Sequence, residues 1–401
     1  MTAERRVFIG AFGDPGHSFP AIALAGELAS RGVDVVLETA EPWREHVEAT
    51  GARFVPAPEF DVFPTKGRHL KPYEAVSQAL ETTRPAVRDA RPDIVVNDIL
   101  TLAPALAAEL EGIPTATLVP HLNPVASEGS PPFGLAARVP STAVGRAFWK
   151  ALSIPVQRGL VMGMNEYDEL RRRVGLKPKH RIHGAMSENL VIVGTFPQLE
   201  GKRAIPKGFH VTGPLFWEPP SAEVDVPQGD EPLVMVAPST AQDPDHRLLQ
   251  AALEGLADLP IRVIATWNRR PIERQVEVGA NTNLVEWLSY ARTIPLCDAV
   301  ISHAGHGTLA RTLQAGAIPV LSPWSGDQFE NAARAAEASL GIRLPRRLVT
   351  PRNIKVAVEL ALSSPTLETN VRNVAEWSRN HDGSRRAADL VLGAAEHLRR
   401  P

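Results

Sequence analysis

Short apolar runs alternate with helical stretches twice along this chain, and that double alternation restricts the fold more than any other feature. In the first third, residues 7–12, 33–37, 53–55, 93–96 and 115–119 read as strands. Residues 19–30 read as a helix, with Ile22, Leu24, Ala25 and Leu28 at helical spacing and Gly32 as its stop. Residues 42–50 and 103–110 are further helices. The strands are apolar throughout rather than every second residue, so both their faces are covered. That pattern predicts a parallel sheet packed between helices.

A break follows at 213–232, where Pro214, Pro219, Pro220 and Pro227 stand among many acids. It reads as an interdomain linker. The alternation then restarts, with strands at 233–237, 261–266, 283–286, 299–302 and 318–321. Helices are expected at 247–257, 308–314 and 328–336, and the tail from about 353 is helical. The expected architecture is α/β, with two doubly wound Rossmann-like domains facing a cleft. The division is 1–215, a linker at 216–231, a second domain at 232–375 and a helical tail at 376–401. Residues 56–72 and 120–145 are proline-rich and irregular. The apolar side chains that follow, Phe133, Phe148, Trp149, Met162, Met164 and Tyr167, fit either core packing or the lining of an apolar pocket.

Charge and cysteine content exclude several classes. The 401 residues carry a formal net charge of −2, with no basic excess to neutralise a nucleic acid. The one cysteine, Cys297, rules out a disulfide framework and a cysteine-cluster metal site. It favours a reducing compartment, so the expected location is cytoplasmic. Asp14 ends the first apolar run too early for a signal segment. No stretch approaches the roughly 18 apolar residues of a span, so no membrane partner is expected. Nothing in the sequence sets an oligomeric state.

Ligands of open parallel sheets bind at the carboxyl ends of the strands, so the residues after strands should carry the chemistry. The first strand runs into Gly13-Asp14-Pro15-Gly16-His17-Ser18-Phe19-Pro20. His17, placed just before a helix, has the titration range of a general base. Asp98, at the end of the strand ending near Asn97, is within reach as its orienting acid. The structural alternatives are a loop histidine and a helix cap. No G-x-G-x-x-G follows the strand, so the dinucleotide fingerprint is missing. The richest segment is 298–331. Its glycine-rich turn His303-Ala304-Gly305-His306-Gly307-Thr308 joins a strand to a helix and suits a diphosphate. The ligand spacing there is wrong for zinc, and no metal site is expected.

This segment resembles the donor-binding signature of family 1, UDP-glycosyltransferase-like enzymes of GT-B fold. The match runs through Trp287, Asp298, His303, Gly305, Gly307, Thr308, Gly316, Pro319, Pro323, Asp327, Gln328 and Asn331. Gly16-His17-x-x-Pro20, Pro92 to Asp98, and Gly213-Pro214-Leu215 resemble further signatures of the family, in the same order. Within it the chain looks most like bacterial natural-product glycosyltransferases.

The resemblance implies a set of roles. His17 deprotonates the acceptor and Asp98 steadies the imidazolium. Trp287 stacks on the nucleobase, with backbone at Leu288 reading its edge. Gly13, Ser239 and Thr240 face the nucleotide. His303, Ala304, Gly305, Gly307 and Thr308 hold the diphosphate, and Asp327 and Gln328 the sugar hydroxyls. The implied activity is inverting, metal-independent transfer of a hexose from a UDP- or dTDP-sugar to a hydroxyl of a lipophilic acceptor. A polyketide, macrolide or phenol would fit. The nucleotide sugar is a substrate, so no cofactor is expected. The chain departs from the family pattern at Ala304, at Ser289-Tyr290, and at Arg311, where a ribose-binding glutamate usually stands. A sugar-nucleotide epimerase and a non-catalytic auxiliary partner are the alternatives.

Overall fold

The computed structural model describes residues 5–58, 72–125, 127–201, 203–239, 243, 245–270, 272 and 276–398. Among these, thirteen strands form two sheets. The first sheet contains β1 (Arg6–Gly10), β2 (Asp34–Thr39), β3 (Arg53–Pro56), β4 (Ile94–Asp98), β5 (Thr115–Val119), β6 (Val191–Val193) and β7 (Phe209–Val211). Its order is β3-β2-β1-β4-β5-β6-β7. The second contains β8 (Leu233–Ala237), β9 (Arg262–Thr266), β10 (Thr282–Val285), β11 (Ala299–Ser302), β12 (Ile318–Leu321) and β13 (Ile342–Arg343). Its order is β10-β9-β8-β11-β12-β13. Every pairing is parallel.

Both faces of each sheet are covered, as the unbroken apolar strands require. In β1, Val7 and Ile9 enter the core shared with helix Pro15–Ser30, and Phe8 enters the core on the other face. Each such side chain contributes about 1.5–3 kcal/mol when fully buried. The strand order reverses at β1/β4 in the first sheet and at β8/β11 in the second. Open α/β sheets bind ligands in the crevices beyond such reversals.

The last helix, Gly383–Leu398, leaves the second domain and docks on the first. Its Ala387, Ala388, Val391 and Leu392 join the core of β1 and helix Pro15–Ser30. Arg31 fastens it, donating to Asp389 and to the carbonyl of Arg385. A second tie crosses the cleft, from His306 Nε2 to Thr195 Oγ1 at 2.9 Å.

Several elements differ from the sequence expectation. The first helix begins at Pro15 rather than Phe19, because Pro15 follows Asp14 and is itself the first helical residue. His17 therefore lies inside the first turn. Helices Pro72–Ala90, Ala143–Leu152 and Ile154–Arg173 are additional, and so are the short strands β6, β7 and β13. The expected segment 42–50 splits into a 3₁₀ turn, Glu41–Trp43, and helix Arg44–Glu48. Most of the irregular stretch expected at 56–72 lies outside the described residues.

Candidate active site

The β1/β4 reversal positions the first pair of groups. Gly10 of β1 is in register with Asn97 of β4, so the turn after β1 and the end of β4 are neighbours. His17 Nδ1 lies 2.8 Å from Asp98 Oδ2. Their side chains are 15% and 1% exposed. The other carboxylate oxygen accepts from Leu100 N at 2.9 Å, which fixes the acid in place. Burial alone would depress the His17 pKa, but the charge and hydrogen bond of Asp98 outweigh it and raise the pKa above 6.5. With Nδ1 engaged, Nε2 is the nitrogen left to accept a proton. Gly13 is required by packing, since a Cβ there would sit 2.5 Å from that of Ala40. Its carbonyl accepts from the Trp43 indole at 2.8 Å.

The β8/β11 reversal positions the second cluster. β11 ends at Ser302, and helix His306–Ala315 begins after Gly305. The first intrahelical bond runs from Leu309 N to Gly305 O. The N–H groups of His306, Gly307 and Thr308 precede it, and with the helix dipole they form an anion-binding end. Ala304 holds a φ of +65°, the left-handed region that favours glycine, which explains the residue usual at this place. Its carbonyl accepts from Asn331, which also donates to Asp327. Burial pushes His303 down to about 4, so it stands neutral, with its ring N–H set against the Ala237 carbonyl. His306 is pushed down to about 4 by the same cause.

Asp327 connects the two clusters. Its charge acts on His17 and His121 from the first domain and on His303 and His306 from the second. Gln328 is more constrained than expected. Its side-chain oxygen accepts from Trp324 N and Ser325 N, leaving only the amide N–H₂ for a ligand.

Trp287, at the end of the β10 edge, carries Arg269 over its ring at 5.1 Å. It opens on a cavity of about 690 Å³ also lined by Phe19, Trp43, His46, Pro219 and Arg269. The Leu288 side chain is buried in the core, so only its backbone is available. Ser239 follows β8 and is buried. Thr240 lies outside the described residues.

Arg311 does not face solvent. Its side chain is 13% exposed and lies 3.7 Å from Glu218 Oε2. It also covers the Phe216 ring at 5.1 Å. Glu218 in turn accepts from Ser289 and from Ala291 N. Tyr290 is half-buried against Asn268, with its hydroxyl pushed up to about 12 by desolvation. The two departures from the family pattern thus form one polar patch with the linker.

Sequence reasoning missed His121. It stands two residues after the end of β5, and its ring lies 6.1 Å from that of His17. Nδ1 is bonded to Leu122 O at 2.8 Å, and burial lowers the pKa, so it is neutral with Nε2 as the acceptor. The rule that chemistry follows strands was sufficient to find it. Among the described residues, no group of three or more His, Cys, Asp or Glu is arranged to hold a metal ion.

Two doubly wound domains with reactive groups at facing switch points define a GT-B protein, and the comparisons agree. The family described as "Erythromycin biosynthesis protein CIII-like, C-terminal domain" matches residues 250–381. A curated relative, 4′-demethylrebeccamycin synthase of Lentzea aerocolonigenes, is 26% identical, covering 97% of this chain and 99% of its own. Oleandomycin glycosyltransferase of Streptomyces antibioticus is 22% identical over 94% of this chain and 87% of its own. The kitacinnamycin glycotransferase structure superposes with a TM-score of 0.78 at 20% identity, covering 98% and 99% of the two chains. CalG4, the calicheamicin glycosyltransferase, gives 0.73 at 21% identity over 99% and 100%. The chain is a glycosyltransferase with the GT-B fold, and it resembles bacterial natural-product glycosyltransferases of the family 1, UDP-glycosyltransferase-like type.

Proposed function

We propose that the chain transfers a sugar, with inversion and without a metal, from a UDP- or dTDP-sugar to a hydroxyl of a lipophilic small molecule. The observation that carries this reading is the His17–Asp98 pair, with its acid buried, sharing the charge of Asp327 with the helix that begins at His306. His17 Nε2 takes the acceptor proton as the acceptor oxygen attacks the anomeric carbon. The bond to the diphosphate breaks on the opposite face, so a single displacement inverts the centre. The leaving charge is met by the N–H groups of His306, Gly307 and Thr308 and by the helix dipole. Asp98 stabilises the imidazolium that forms. Asp327 and the Gln328 amide are placed to hold sugar hydroxyls between the two clusters, and Trp287 to hold the base.

Relatives named for natural products and for thymidine diphosphate complexes support a nucleotide-sugar donor and a small-molecule acceptor. A cytoplasmic location belongs to the same proposal. The test is His17→Ala with a panel of phenolic and macrolide acceptors and both donor nucleotides. Loss of a positioned base lowers turnover on the order of 10²–10⁴. Nucleotide binding, read by thermal shift, is expected to persist. Near-normal turnover of the variant would overturn the assignment.

A further inference from the structure

Helix Ala143–Leu152 has no buried residue. Its sequence is nevertheless amphipathic. Val144, Phe148 and Leu152 recur every four residues along one stripe, while Arg146 and Lys150 lie on the other side. In a globular protein such a stripe normally faces the core. Here Val144, Phe148 and Leu152 are 80%, 57% and 47% exposed. The next helix, Ile154–Arg173, extends the bare surface with Ile154 and Met162. A contiguous apolar surface of this kind marks an interaction site.

Charge selects the partner. From Gly129 to Asn165 the chain holds Arg138, Arg146, Lys150 and Arg158 and no acidic residue; Lys150 pairs with the exposed Glu128, and the acids of the second helix, Glu166, Asp168 and Glu169, stand at its far end. An anionic bilayer meets both halves of the pattern. Its acyl boundary takes the apolar stripe, and its headgroups take the flanking cations. Trp149, packed edge-on to Phe148 at 5.6 Å, is the amphipathic aromatic suited to that depth.

We propose that the hairpin formed by helices Ala143–Leu152 and Ile154–Arg173 is a peripheral docking surface for an anionic lipid bilayer. It needs no spanning helix, and among the described residues no helix is long and apolar enough to cross a membrane. The sequence expectation of no membrane partner considered spans only. The proposal stands apart from the sugar-transfer reading.

The test is co-sedimentation of the full chain with phosphatidylcholine vesicles, with and without phosphatidylglycerol. Binding is expected with the anionic vesicles only, weakened roughly tenfold by raised salt. Val144→Glu/Phe148→Glu and Arg146→Glu/Lys150→Glu are each expected to abolish it. All four side chains are exposed, so circular dichroism and melting should match the parent. No binding to anionic vesicles, or binding retained by both variants, would overturn the proposal. So would a dimer in light scattering that Val144→Glu/Phe148→Glu makes monomeric, without vesicle binding by the parent.

Discussion

The imidazole of His17 and the carboxylate of Asp98 are 2.8 Å apart at the reversal between β1 and β4, and the acid is sealed from solvent. The proposed base, His17, can take a proton only as the neutral ring, and its pKa stands above 6.5. The rate constant kcat/KM should therefore fall on the acid side through that raised value. Asp98→Asn removes the charge that raises it, so the acid limb is expected to move to lower pH. The plateau is expected to drop on the order of 10²-fold or more, because the imidazolium loses its partner. Stability follows the same sign. A raised histidine pKa stabilises the fold fully below the unfolded value and loses that contribution as pH rises through the folded one. Melting curves of parent and variant should thus differ more at pH 5.5 than at pH 9. An unmoved acid limb would show that His17 is not the titrating base.

Much of this pair was legible in the sequence. Apolar runs placed β1 and β4, and the chemistry of strand ends pointed to His17 and Asp98. What was not legible depended on tertiary packing. The three-residue strands β6 and β7 are too short to show a period. Helix Ala143–Leu152 has the right period but follows a proline-rich stretch that reads as loop. Glu218 emerged only in three dimensions, because the linker folds back onto Ser289 and Arg311. His121 was within reach of the same strand-end rule and was passed over for want of a motif around it.

Glu38 is a buried carboxyl in β2 whose pKa burial raises from the ordinary 4.5 to about 7, despite a hydrogen bond from Thr83. A raised acid destabilises the folded state once the unfolded chain ionises. The penalty is absent below pH 4.5, grows up to about pH 7 and is then constant. Its full size is about 3 kcal/mol. Glu38→Gln keeps the Thr83 hydroxyl engaged and cannot ionise. It is expected to raise the melting temperature at pH 8 and to leave it unchanged at pH 4.5. Equal effects at both pH values would mean that the carboxyl is not the source.

Glu330 holds the two domains together through backbone. It accepts from Gly134 N and Ala136 N across the cleft, and pairs with the buried Arg334 at 3.1 Å. Arg334 also donates to Ala137 O and to Glu337. Removing Glu330 leaves Arg334 to Glu337 alone and takes the acceptor from two backbone N–H groups, with a cost of roughly 1–3 kcal/mol. Glu330→Ala is therefore expected to lower the unfolding midpoint in urea markedly. Amide exchange at 134–137 should quicken even under conditions where the chain stays folded. Unchanged exchange there would remove Glu330 from the interdomain tie.

Arg311 and Glu218 share one small polar site, 3.7 Å apart beside Ser289. Replacing Arg311 with the glutamate usual in the family would seem to restore a ribose-binding carboxylate. In this chain it sets that carboxylate against Glu218, whose position is fixed by Ser289 and by Ala291 N. Like charges at that separation repel, and the Phe216 ring loses its cationic cover. Arg311→Glu is thus expected to weaken UDP binding about tenfold, which is about 1.4 kcal/mol. The double variant Arg311→Glu/Glu218→Gln removes the repulsion and should bind UDP at least as well as the parent. It should also gain preference for UDP over dTDP, since the new carboxylate can accept from the 2′-hydroxyl. Titrations of the four proteins with both nucleotides form a double-mutant cycle on this pair. If Arg311→Glu alone bound UDP more tightly than the parent, Glu218 would not be the residue that constrains the site.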